Sequence, residues 1–523
     1  MSSATFKPFK IPMLSTEDQW FDIGDRRIVQ IGFGAIGGAM LELYRRHIKM
    51  DNPNQVIVFD MDASKIPDNK MGAQFFNVKI TRSNYKKELG KYLRKGDILV
   101  DLAWYIDTLS LLELCNKTEA FFVNAAVENW PDHIDQVDPQ YNASKYSLYA
   151  RQEAIQSAKK KWRNNPTAII THGANPGWVS HAAKLGMIEW VQWLQENQPS
   201  AECLPTCLKL IKQIQTITPS KTSQKDREEI RKLWAQLSQA LQIQVIHVSE
   251  HDTLVSNIPK RKDEFVCTWS PMGFIEEGIA PAELGWGTHE TMDESDGVVF
   301  HNGGVKNQVC LSSRGINTLC HTFVPSGSYV GMVVRHEEAS SIASYLTVGT
   351  DKKPVYCPTV HYAYKPCFDA IASMYELQSN NYAEPKATRL IRGDAIEGKG
   401  ELGCFMLSKK YGAWWIGTVQ SVADCRKYGL HDESPTVLCV ATGVLGAMKY
   451  CFAHPNMGVI HPDSMNCVEA MSSMVPYMQP FVSGHVANWK PRINARFDTY
   501  GKFGIKKNTD SDDWTFNRLR VKI

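Results

Sequence analysis

The run Arg27-Ile28-Val29-Gln30-Ile31-Gly32-Phe33-Gly34-Ala35-Ile36-Gly37 begins as a short β-branched segment. It turns on glycines into Ala39-Met40-Leu41-Glu42-Leu43-Tyr44, which is spaced as a helix. A second apolar run, Val56-Ile57-Val58-Phe59, ends in Asp60, 23 residues after Gly37. Strand, glycine turn, helix, strand and terminal acid is the order a dinucleotide-binding unit requires. Gly32 permits the tight turn, Gly34 lets the backbone approach a pyrophosphate, and Gly37 lets helix and strand pack closely. The anion would rest on free N–H groups at the helix start, at Ala35 and Ile36. Asp60 would accept hydrogen bonds from the adenosine ribose, and its charge, reinforced by Asp62, would repel a 2′-phosphate. The expected cofactor is therefore NAD.

Further β-branched runs follow at Ile98-Leu99-Val100-Asp101-Leu102, Phe121-Phe122-Val123-Asn124 and Thr167-Ala168-Ile169-Ile170-Thr171, with helical stretches between them. Such alternation predicts an α/β fold with a Rossmann-type, doubly wound parallel sheet. Beyond about residue 180 the pattern changes. Pro219 to Gln242 reads as a charged amphipathic helix on the exterior. Strands then dominate, at Val245–Val248, Glu264–Thr268, Gln308–Leu311 and Tyr329–Val334. Turns rich in Gly, Pro and Asn separate them, so a second, α+β domain with a mixed sheet is expected. The polar stretch Gln378 to Glu401 reads as a crossing back to the first domain. The expected division is a Rossmann domain over 1–175 and a substrate-binding and dimerisation domain over 176–401. A C-terminal segment, about 402–523, is expected to pack back on the first domain.

A chain of 523 residues is too long for one hydrophobic core. Lys+Arg 58 against Asp+Glu 55 leaves +3, which gives no basic field for nucleic acid. No uncharged apolar run reaches ~18 residues, and Val437 to Phe452 reads as a helix too short to span, so no membrane partner is expected. The opening residues lack the order of a secretory signal. Thirteen scattered cysteines, with no zinc-type spacing around Cys203 and Cys207, read as reduced core residues of a cytoplasmic protein without a metal.

Two further clusters could carry chemistry. Asp101 to Trp104, Asn124 to Trp130 with Glu128, and Thr171-His172-Gly173-Ala174-Asn175-Pro176-Gly177 follow strand ends, where ligands of such sheets collect. Turn chemistry and a helix start would equally explain His172. The second cluster is Glu250, Trp269, Glu276, Glu277 and His336. His247-Val248-Ser249-Glu250-His251 matches the HxxEH zinc pattern, but that pattern needs a helix and this run reads as a strand. No catalytic zinc is expected. Taken alone, Trp269 would read as core and His336-Glu337-Glu338 as a polar strand end.

Gly32 to Gly37, Asp60, Asn124 to Trp130, His172 to His181, Glu250-His251-Asp252-Thr253 and Arg335-His336-Glu337-Glu338 together resemble the bacterial-type homospermidine synthases, relatives of saccharopine dehydrogenase. The resemblance runs from about residue 27 to about 490, and His172 to His181 is its most specific stretch. It implies a saccharopine reductase-like second domain, a homodimer, and NAD held as a recycled group. One putrescine (or a spermidine) would be oxidised to an aminobutyl imine, captured by a second putrescine, and reduced to homospermidine. Carried over by position, Trp269 would face the cationic amine, Glu128, Glu250 and Glu277 would hold ammonium ends beside Asn175, and His336 would help move protons. Asn124 and His172 would lie with the cofactor.

Simple chemistry agrees with that pocket. A diamine is a dication, so its site needs carboxylates at the ends and an aromatic face. A net charge of +3 gives no global attraction, so local acids must select it. One proton must leave the reacting amine before a hydride can, which calls for a base of moderate pKa, and His336 is the candidate. Two other readings stay open. A saccharopine-type oxidoreductase would need Arg or Lys to hold carboxylates, and a silent NAD-binding scaffold would not need Glu250, Trp269 and His336 together.

Overall fold

The computed structural model describes residues 5–66, 72–131, 146–217, 223–291, 297–301, 304–429, 434–491 and 514–521. Residues 219–222 of the expected charged helix, and the tail between 500 and 513, lie outside that range.

The first sheet is seven-stranded and wholly parallel. Its order is Val459–Ile460, Ala168–Ile169, Phe121–Asn124, Ile98–Asp101, Ile28–Ile31, Val56–Asp60, Gln74–Asn77. Every residue of its central strands is buried, as expected when helices cover both faces. Strand order reverses beside Ile28–Ile31, and this leaves a crevice at the C-terminal ends of Ile28–Ile31 and Ile98–Asp101. The helix Ala35–His47 leaves the glycine turn and ends in Arg45, Arg46 and His47, where positive charge suits the helix dipole.

The second sheet is mixed and eleven-stranded. At its centre Ile243–Asp252 runs parallel to Thr359–Lys365 and antiparallel to Lys399–Ser408. Two expectations need correction here. The segment 402–523 does not return as a unit to the first domain. Lys399–Ser408, Gly412–Ser421 and Phe481–Val486 are strands of the second sheet, while Val459–Ile460 forms an edge of the first. The stretch 378–401 is not a crossing either: Ala387–Leu390 and Ala395–Glu397 pair with Glu264–Cys267 and Val255–Ser256 in two small sheets, and only from Lys399 does the chain enter the eleven-stranded sheet. Backbone pairing decides this, because alternating apolar runs such as Cys404–Leu407 fit either sheet until a partner strand is present.

The helix Pro435–Ala453 is long and apolar enough by length and composition to cross a membrane, so its length is not what distinguishes it. Its side chains are mostly buried, packed against Ala35–His47 and the first sheet. The charged helix spans Gln224–Ala240 and buries only Trp234, Ala235, Leu237 and Ser238, as its amphipathic pattern predicts. The polar tail is pinned at its end: Trp514 is buried and its Nε1 donates to the Ser408 carbonyl at 3.0 Å. All thirteen cysteines are buried thiols.

Candidate functional site

At the glycine turn, Gly32 has φ +92°, and a Cβ there would come 2.7 Å from the Leu102 carbonyl oxygen. A Cβ on Gly37 would overlap the Gly32 carbonyl, whereas one on Gly34 would meet nothing within 4 Å. The turn is thus tight on two sides and open on the third. No side chain caps the helix that starts at Ala35, so its first amides face the opening. This cradle fits a pyrophosphate. Asp60 does more than offer a ribose acceptor: its Oδ2 accepts from Phe33 N at 2.6 Å and its Oδ1 from Asp62 N at 2.8 Å. The carboxylate therefore braces the turn, with a lone pair on each oxygen still available.

Asn124 and His172 were expected beside the cofactor, but both side chains are fully buried. Asn124 Oδ1 accepts from Thr171 N at 2.9 Å, and His172 Nε2 lies 3.0 Å from His181 Nε2. Burial lowers His172 to about 4, so the imidazoles form a neutral pair. A buried amide or imidazole must find partners, and these two find them between strand ends, acting as a frame under the crevice. Asn175 differs. Its Nδ2 is 3.5 Å from Glu250 Oε2, while its buried Oδ1 has no hydrogen-bond partner among the described residues.

The second domain's candidates do converge. Ser270 caps the helix Pro271–Ile279, which carries Glu276 and Glu277, and Trp269 stands just before it. His336 precedes the helix Glu337–Tyr345. Its Nε2 is 2.8 Å from Glu277 and its Nδ1 is 3.5 Å from Glu338. On strand Thr359–Lys365, Tyr362 stacks on His336 at 4.4 Å and donates to Glu250 Oε2 at 2.6 Å. Two residues on, Tyr364 accepts from Trp269 Nε1 at 3.1 Å. Trp269 itself is half-buried and packs against the edge of the core, near Phe274 and Tyr364. Glu128 comes across from the first domain, its backbone N–H donating to Thr108 Oγ1 at 3.0 Å. The preceding peptide is held on both sides: Val127 N donates to Glu337, and the Val127 carbonyl accepts from Arg151.

The HxxEH string lies on the central strand Ile243–Asp252. Glu250 turns toward Tyr362, while His247 is on the other face beside Thr322 and His361.

Among the described residues acids outnumber bases here: Glu128, Glu250, Glu276, Glu277, Glu337 and Glu338 face Arg151, Arg335 and His336, and both arginines are paired with Glu276. Burial pushes Glu250 up to about 7, despite the Tyr362 hydroxyl, and Glu337 to about 7. Burial and the neighbouring Glu276 hold Glu128 well above the carboxylate range. For Glu276 burial is outweighed by Arg335 and Arg151, and it stays low. His336 departs from expectation. Burial alone would depress it, but Glu277 and Glu338 outweigh burial and hold it well above its ordinary value. Its protonated form is favoured by these two carboxylates, and the His336–Glu277 pair, rather than the imidazole alone, is the unit that titrates.

Tyr362, Tyr364 and Arg151 escaped sequence reasoning. The alternation His361-Tyr362-Ala363-Tyr364 on a strand puts both tyrosines on one face, but only the fold shows which face.

The chain matches the saccharopine dehydrogenase NADP binding domain over residues 28–169 and the saccharopine dehydrogenase C-terminal domain over 173–455. It is 31% identical to a homospermidine synthase of Blastochloris viridis over 95% of this chain and 98% of that protein. It is 32% identical to one of Mesorhizobium japonicum over 95% and 96%. Among solved structures, a homospermidine synthase of Legionella pneumophila in complex with NAD aligns with a TM-score of 0.80 at 30% identity, covering 97% of this chain and all of that one.

Proposed function

The chain belongs to the homospermidine synthase branch of the saccharopine dehydrogenase-like proteins, and from that membership we propose that it makes homospermidine from putrescine by NAD-dependent aminobutyl transfer. The observation that carries this reading is the surplus of buried carboxylates, which a bound dication would neutralise. A saccharopine-type reaction would need a free guanidinium for substrate carboxylates, and both pocket arginines already serve Glu276.

Glu250 and Glu128 hold ammonium groups of the amines, with Asn175 Oδ1 as a further acceptor. Trp269 turns its π face to the reacting nitrogen. The His336–Glu277 pair takes the proton that must leave the amine before hydride transfer and returns it when ammonium departs. Gly32, Gly34, Ala35, Ile36, Gly37 and Asp60 hold the dinucleotide, with Asn124 and His172 framing the crevice. Bound NAD accepts a hydride from the first amine and gives it back to the second imine, leaving no net redox change. The acids at 60 and 62, and the NAD of the Legionella relative, support NAD over NADP. Spermidine can serve as aminobutyl donor by the same chemistry. The cytoplasmic setting and the homodimer belong to the same proposal. Thirteen buried thiols support a reducing compartment, and the exposed Phe368 and Tyr375 on helix Phe368–Ser379 offer a face to a second copy.

Incubation with putrescine and catalytic NAD is expected to yield homospermidine and ammonium, identified by mass spectrometry, without accumulating NADH. Stoichiometric NADH would rule the synthase reading out. Asp60→Ala should weaken NAD binding and narrow the preference over NADP.

Binding should also move protons. In the empty pocket Glu250 and Glu337 are raised to about 7, so near neutrality each is partly protonated. A dication favours the carboxylates and lowers those values, so putrescine binding releases protons and tightens as pH rises through about 7. Calorimetry in buffers of different ionisation enthalpy measures this release. Binding with no proton exchange would remove Glu250 from the amine seat.

A further inference from the structure

The loop that follows strand Ile98–Asp101 touches both halves of the site. Leu102 abuts the glycine turn, since its carbonyl oxygen would lie 2.7 Å from a Cβ on Gly32. Trp104 reaches the amine-binding helix Pro271–Ile279. A Cβ on Gly273 would overlap Trp104 Cζ2 and Cη2 and would come 3.0 Å from Trp269 Cζ3. Both indoles therefore crowd Gly273, where even a methyl side chain would force a ring to shift. Tyr105 follows with φ 59°, a left-handed conformation that an aromatic residue rarely adopts. That turn sets the Trp104 and Tyr105 rings 6.5 Å apart, both half-exposed, while Glu128, Glu250 and Glu277 of the amine site are buried. Burial raises the Tyr105 hydroxyl, and the charges of Glu276 and Glu128 add to it.

We propose that Trp104 and Tyr105, seated on Gly273, form a cap that excludes water from the aminobutyl imine and thereby commits it to the second amine. The inference rests on the synthase reading. Loss of hydride and a proton from putrescine leaves a primary iminium. In the productive course the nitrogen of the second putrescine attacks that carbon, a C–N bond forms, ammonium leaves, and the new imine recovers the hydride. If water attacks instead, ammonium leaves as before, but the product is aminobutyraldehyde. The hydride then stays on the dinucleotide, so each aldehyde released is matched by one NADH. Water is present at far higher concentration than any amine, so selectivity must come from keeping it out. Trp104 acts by enclosing the site, as a specificity-determining residue.

The test supplies putrescine with NAD in excess of enzyme and measures three quantities: homospermidine by mass spectrometry, aldehyde by trapping with o-aminobenzaldehyde, and NADH by absorbance. Trp104→Ala is expected to raise the ratio of aldehyde to homospermidine by about tenfold, with NADH matching aldehyde mole for mole. Trp104→Phe should restore most of the coupling. Gly273→Ala, which displaces the indole without removing it, should raise the ratio as well. If Trp104→Ala slows turnover with the ratio unchanged, the cap is only a wall and the proposal fails. If Trp104→Ala unfolds on a melting curve, Gly273→Ala and Trp104→Phe decide by the same ratio. Absence of homospermidine from the unmodified protein would instead overturn the synthase reading.

Discussion

Glu250→Gln is expected to lower kcat/KM for putrescine by about a hundredfold above pH 7, a loss of about 3 kcal/mol. Glutamine keeps the shape and can still accept from the Tyr362 hydroxyl, which donates to Glu250 at 2.6 Å. What disappears is the charge opposite an ammonium in a site sheltered from water, where removing one partner of a buried pair costs ~2–5 kcal/mol. The low end applies because the amide oxygen still accepts a hydrogen bond from the amine. Stability should move the other way. Burial has raised this carboxyl to about 7, so at alkaline pH the empty protein holds a charge that burial disfavours, and a neutral glutamine relieves it. Kinetics across pH, with melting curves beside them, separate the two effects. A variant with kcat/KM within about threefold of the original would show that Glu250 is not an amine seat.

Trp269→Phe should slow turnover roughly tenfold, because a desolvated cation–π contact is worth ~2 kcal/mol and phenylalanine keeps only part of it. The fold adds a complication. Trp269 Nε1 donates to the hydroxyl of Tyr364, which is fully buried, so the variant also leaves a buried oxygen without its donor. That costs ~1–3 kcal/mol of stability and could mimic a structural role. Pairing the change with Tyr364→Phe removes the orphaned hydroxyl, and loss of both partners is close to neutral. The double variant is therefore expected to regain melting temperature without regaining turnover, and NAD affinity should be unchanged in both. Recovery of activity together with stability would make Trp269 a packing residue and would move the amine site elsewhere.

Much of the first domain was legible because its signals are local. Buried parallel strands are written as continuous β-branched runs, and the glycine turn with Asp60 is fixed by sterics that operate within a few residues. The strand reading of Ile243–Asp252 likewise separated Glu250 from the histidines around it. The second domain was less legible. Whether Lys399–Ser408 and Phe481–Val486 join one sheet or the other depends on partners far along the chain, and nothing local records that choice.

Residue type, period and spacing were enough for the dinucleotide unit and the mixed second domain, whereas the acids and aromatics of a diamine site came only with the resemblance to the homospermidine synthases. Only the tertiary structure decided how those residues act on one another. It turned Asn124 and His172 into a buried frame, because buried polar groups must find partners among whatever packs beside them. It raised the pKa of His336, because carboxylates from two helices approach its ring and no spacing in the chain announces their distance. It also brought Trp104 of one domain onto Gly273 of the other, a contact between residues 169 positions apart. Spacing along the chain can say which side chains share a strand or helix face, but charge regulation and enclosure depend on distances through space, which exist only once the domains have packed.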